Sequence, residues 1–206
     1  KVSSLQILPS CVNDEGVWYG EMLDVSDVTT FKDFFYRVRD VLRIAEVKGW
    51  DMRNVGSMFS FCQQCSNLEY INTIGWELPN VEVLTRCFTG CVKLNSLDLT
   101  GWSGEKVTAI DEMLRGCINL SSIIGGKKIN DVIENNISCL NGLKISHQTM
   151  LYQSNNIDRA SLRALINGLA DLTGQTAQTL TLGATLLAKL TEEDIAIAVS
   201  KNWTIV

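Results

Sequence analysis

Apolar residues recur along the chain at one long, fixed period. Trp50, Trp76 and Trp102 fall 26 residues apart, each directly behind a glycine (Gly49, Gly75, Gly101). Cys65, Cys91 and Cys117 share that spacing, as do Val55, Val81 and Val107, and Leu68, Leu94 and Leu120. Four columns on one period define an internal repeat. The units run 51–76, 77–102 and 103–126. A weaker copy at 25–50 keeps Leu42 and the closing Gly-Trp but lacks the cysteine. At this period the chain of 206 residues has room for roughly eight coils.

Inside a unit the pattern changes halfway. The first half places apolar residues at helical spacing (Val81, Leu84, Phe88), and the second half alternates (Leu94, Leu97, Leu99). A switch from a 3.6-residue period to a period of two predicts one helix and one short strand per coil. Stacked copies would align the strands in a parallel sheet with the helices on the opposite face. The expected fold class is therefore α/β: a leucine-rich-repeat solenoid with one parallel sheet of about eight strands. The reading is a single domain over 1–206, with an N-terminal cap and degenerate repeat (1–50), three regular repeats (51–126) and irregular repeats with a cap (127–206).

Outside the regular units, Leu5 to Leu8 and 140–146 read as strands and Val28 to Val38 as a helix. Residues 158–171 read as a helix capped by Asp158, with Leu162, Leu165, Ile166 and Leu169 on one face. The segment 179–182 is a strand, Thr191 and Asp194 form a capping box for another helix, and 203–206 closes as a strand. The chain begins at Lys1 rather than Met, which reads as a processed or trimmed form.

Composition narrows the chemistry. A net charge of −5 argues against nucleic acid, whose phosphates need a basic patch. No apolar run approaches the ~18 residues of a membrane helix. A single histidine, His147, limits histidine-based catalysis. Cys62-x2-Cys65 and Cys87-x3-Cys91 imitate a four-thiolate zinc site. The repeat gives them another meaning, because Cys62 aligns with Phe88 and Leu114, and a thiol alternating with Phe and Leu acts as a small hydrophobe. Buried free thiols are the expectation, with no metal, no cofactor and no catalytic residue. The three Gly-Trp pairs read as a packed turn column rather than a sugar-stacking platform.

The residues Asp51, Asn54, Val55, Met58, Cys65 and Leu68, continued by Leu97, Asp98, Leu99, Gly101 and Trp102, resemble the BspA-type leucine-rich repeat of bacterial surface proteins, a repeat also found in mycoplasma lipoproteins. The resemblance is good over 51–126 and weaker over 25–50. It implies a non-enzymatic, extracellular or cell-surface protein, often an adhesin, and it names no catalytic residue.

In such a stack, alternate strand residues turn inward and the rest form rows on an open face. The inward columns are Leu42, Leu68, Leu94 and Leu120, with Ala45, Ile71, Leu97 and Ile123. The outward rows hold the candidate partner-binding residues Glu46, Glu69, Tyr70, Asn72 and Asp98, one aromatic among acceptors. That mixture suits a protein or glycan partner. A structural or receptor-binding role in a larger assembly, such as a phage tail, is the alternative function.

Overall fold

The computed structural model describes residues 13–19, 23–45, 47, 49–103, 105–126, 128–129, 132–133 and 150–206. The strands expected at Leu5 to Leu8 and 140–146, and His147, Cys11 and Cys139, lie outside the described residues. Strands β1 (Val17–Tyr19), β2 (Arg43–Ala45) and β3 (Tyr70–Ile71) pair side by side in parallel. Strands β4 (Ser96–Thr100) and β5 (Ser122–Gly126) form a second parallel pair, in a register of 26 residues from Ser96↔Ser122 to Thr100↔Gly126. Between β3 and β4 the hydroxyl of Thr73 donates to the Asp98 carbonyl. A short antiparallel pair follows, β6 (Lys128–Ile129) with β7 (Val132–Ile133).

The first half of each coil is not helical. It is built of two β-turns in tandem. In the coil of Leu84, Cys87 N donates to the Leu84 carbonyl and Cys91 N to the Phe88 carbonyl, each at 3.1 Å. The third residue of each turn has positive φ, and these residues form two columns: Asp33, Ser60, Arg86, Glu112 and Arg37, Gln64, Gly90, Gly116. Positive φ at that position defines a type II-like turn. An α-helix would direct its interior N–H groups along its own axis. The turns instead release alternate N–H groups sideways. Met58, Ser60, Cys62 and Gln64 donate to the carbonyls of Val83, Thr85, Cys87 and Thr89 in the next coil, at 2.7–3.0 Å. These bonds between coils offset the ~1–2 kcal/mol strain of each left-handed non-glycine residue.

The first coil is longer than the 26-residue alignment allows. Ile44 pairs with Ile71 and Thr30 bridges Ser57, both 27 apart. The inward residues of this coil are therefore Val41 and Ile44, each fully buried, whereas Leu42 is half-buried. The extra residue is recovered before Trp50, so the indole column keeps its 26-residue step.

One continuous core runs through the stack. Trp50, Trp76 and Trp102 stack in turn, with centroids 5.9 and 6.1 Å apart and planes within 14°. Phe34 and Phe61 stack beside them at 6.0 Å. On β1, ahead of that coil, Trp18 meets Phe35 and Trp50 edge-on. Aromatic columns of this kind add to the simple burial of their area.

The end of the repeat array carries the helices. Asp158 caps α1 (Arg159–Gly168), whose buried face holds Leu162, Leu165 and Ile166. This helix covers β5: Asp158 N donates to the Ser121 carbonyl, and Ser161 Oγ accepts from Ile123 N at 2.7 Å. A strand edge that would otherwise be open is thereby satisfied. Next come β8 (Gln178–Leu180), α2 (Ala184–Leu187), α3 (Glu192–Ser200) and β9 (Trp203–Ile205), with β8 and β9 parallel. Thr191 and Asp194 form the capping box of α3. Among the described residues no helix is long and apolar enough to cross a membrane.

Candidate functional site

The repeat motif residues have mostly structural partners. The amides of Asn54 and Asn80 donate to the Ser26 and Arg53 carbonyls of the preceding coil at 2.6 and 2.7 Å. The cysteine column does the same from inside the core. Cys65, Cys91 and Cys117 direct Sγ to the carbonyls of Phe35, Cys62 and Phe88 at 2.9–3.1 Å. Each of those oxygens also accepts the N–H that closes its own turn, which uses both lone pairs. Burial pushes the Cys62 and Cys91 thiols well up and the Cys117 thiol up to about 12. They stay protonated, as a donor must, whereas a nucleophile or a zinc ligand works as the thiolate. Cys62, Cys65, Cys87, Cys91 and Cys117 are all unbridged and buried. Among the described residues no three His, Cys, Asp or Glu side chains converge as a metal site.

Of the candidate binding residues, Glu46 lies outside the described residues. The other four fall into two groups. Glu69 is exposed and Tyr70 half-buried at the start of β3. The guanidinium of Arg43 sits over the Tyr70 ring, 5.6 Å from its centroid. Arg43 is the register partner of Tyr70, a neighbour that a uniform 26-residue alignment places beside Glu69.

Asn72 directly follows β3, whereas Asp98 is the middle residue of β4, in register with Ile124 of β5. Asn72 Oδ1 accepts from Ile74 N at 3.2 Å, and Asp98 Oδ1 from Thr100 N at 2.8 Å. The Asn72 contact is an Asx turn that opens the loop leaving β3, while the Asp98 contact is made within β4 itself. Asp98 also reaches the wall of a groove between the two departing loops, together with Glu77, Ile74 and Leu78. No periodic signal points to this groove, because its residues Ile74, Glu77 and Leu78 do not recur one period on, where the sequence has Thr100, Ser103 and Gly104.

Consecutive coils thus pair in parallel through β1, β2 and β3 and through β4 and β5. Residues 29–150 match the family described as mycoplasma protein of unknown function, DUF285, and the chain belongs to that family. No curated protein and no solved structure matches the chain.

Proposed function

We propose that this chain is a BspA-like leucine-rich-repeat solenoid acting as a non-enzymatic recognition or adhesion module at a bacterial surface. It would bind a protein or glycan partner through the exposed strand face. The observation that carries this reading is the Arg43–Tyr70 pair with Glu69 beside it. These side chains stand on strands whose opposite residues, Ile44 and Ile71, lie in the core at 0 and 2% exposure. A polar and aromatic patch on a rigid base is the arrangement that interfaces use, since little freedom is lost when it binds.

The test is capture. Wild-type protein and the variants Tyr70→Ala and Glu69→Lys are immobilised and challenged with host and bacterial surface proteins and with a glycan array. The variants should lose the ligand that the wild type retains while keeping its melting temperature. Equal capture by all three proteins rejects the strand face as the contact surface.

A further inference from the structure

The loops that leave β3 and β4 enclose a groove of about 620 Å³, within the range of ligand pockets. Its apolar walls include Ile74, Leu78 and Pro79, and Ile74 is 55% exposed. Its charged lining residues are Glu77 and Asp98, with no lysine or arginine among the described lining residues. The nearby cation Arg53, whose charge also interacts with Glu77, is held by Asp51 through two hydrogen bonds, at 2.7 and 2.9 Å. The Thr100 N–H fixes the Asp98 carboxylate in place, and Thr100 Oγ1, buried in the same wall, has no hydrogen-bond partner among the described residues.

This chemistry separates the two partner classes. A sugar site of the stacking kind needs an open ring face, and the groove offers none: Trp76 is fully buried with Nε1 bonded to Val47 O. Aliphatic walls with carboxylates suit a side chain that is apolar along its stem and cationic at its tip. The net charge of −5 favours the approach of such a group.

We propose that the groove seats one lysine or arginine side chain from an extended segment of a protein partner. The stem lies against Ile74, Leu78 and Pro79, and the head faces the Glu77 and Asp98 carboxylates. This inference rests on the recognition reading above and narrows the partner to a protein with an accessible basic residue flanked by apolar ones.

The probes are three peptides: acetyl-Leu-Lys-Leu-amide, its glutamine counterpart acetyl-Leu-Gln-Leu-amide, and acetyl-Gly-Lys-Gly-amide. Each is titrated into nitrogen-15-labelled protein and followed by amide shifts, for the wild type and for Glu77→Gln/Asp98→Asn. Asparagine at 98 keeps an acceptor for Thr100 N–H, so that contact is preserved. The lysine peptide should give saturable shifts centred on Ile74 and Gly101. Its binding should be at least about threefold tighter than that of either control, weaken about threefold in the double variant, and decline with added salt. Equal binding of the glutamine peptide, shifts centred elsewhere, or no saturation overturns the proposal. The titration needs no natural partner, so its failure leaves the Tyr70 capture result standing. Peptide binding together with unchanged capture by Tyr70→Ala removes only the strand-face reading.

Discussion

The indole of Trp76 lies parallel to that of Trp50, with centroids 5.9 Å apart and planes 3° from parallel. Its Nε1 also donates to the Val47 carbonyl at 2.8 Å. One side chain thus joins consecutive coils by stacking and by a buried hydrogen bond. The Gly-Trp column, read from sequence as packed turns, has its physical basis here.

The two contributions of Trp76 are separable. Trp76→Phe keeps an aromatic ring but leaves the Val47 carbonyl without this donor, and should cost about 1–3 kcal/mol. Trp76→Ala removes the packing as well and should cost about 3–5 kcal/mol. Urea unfolding of the three proteins reads both values. Equal losses for Phe and Ala would show that the hydrogen bond, rather than the stack, holds the coils together.

The period was legible in the sequence because each coil uses the same inward positions: Val55, Val81 and Val107, or Leu68, Leu94 and Leu120, are all fully buried. The element type in the first half was not. Leu84, Cys87, Phe88 and Cys91 face the core at steps of three and four residues, which a helix and tandem four-residue turns share. Hydrophobic spacing cannot tell these apart. Gly90 and Gly116, exposed to neither packing nor capping demands of a helix, mark the left-handed position and were the available signal. The 27-residue step into the second coil was hidden because the Trp50 anchor keeps the 26-residue spacing. That slip concealed the Arg43–Tyr70 pair. Helices α1 and α3 were readable because Asp158 and Thr191 cap them through local bonds that sequence can show, whereas α2, which starts at Gly183 with no side-chain cap, was not.

The thiol column predicts alkaline sensitivity. The folded pKa values of Cys62, Cys91 and Cys117 are raised above the unfolded value near ~8.5. Between those limits the unfolded chain has lost protons that the folded chain keeps, so stability falls as pH rises. It is fully present below about pH 8.5 and should decline above it by about 1.4 kcal/mol per pH unit for each such thiol. Denaturation midpoints from pH 7 to 10 measure the slope. In parallel, iodoacetamide at pH 8 should leave these three cysteines unlabelled in the native protein and label them once it is unfolded. Native labelling at Cys91 would contradict the buried, protonated thiol column.

Asp194 governs the helical end. It is fully buried and accepts from Arg159 Nε and Arg163 Nη1, both at 2.7 Å, and from Thr191 N at 3.0 Å. Burial alone would raise its pKa, but these hydrogen bonds prevail and hold it well below the usual carboxylate range. The stabilisation is therefore complete above the unfolded value of about 3.9 and is lost as pH falls below it. Asp194→Ala should cost about 1.5–3 kcal/mol at pH 7, and the difference from wild type should shrink below pH 4. Paired urea melts at pH 7 and pH 3 test this. A difference that grows on acidification would refute the assignment.

The glycines of the coils are not equivalent. Gly101, which precedes Trp102, has φ of +84°, and a Cβ there would meet the Trp76 carbonyl oxygen at 3.0 Å. Gly90, a turn glycine with φ of +73°, has only ordinary contacts, the nearest being Gln64 Cγ at 3.6 Å. Gly49, which precedes Trp50, has no positive φ, and a methyl group added there would find nothing within 4 Å. Gly101→Ala should therefore cost about 2–3 kcal/mol, from backbone strain plus the clash. Gly90→Ala should cost about 1 kcal/mol, from backbone strain alone. Gly49→Ala should be neutral or stabilise by up to about 1 kcal/mol, because alanine lowers the entropy of the unfolded chain. Thermal melts of the three single variants give the order directly. If Gly49→Ala proves as damaging as Gly101→Ala, the glycine column serves a need common to all coils, and the close approach to Trp76 is not its cause.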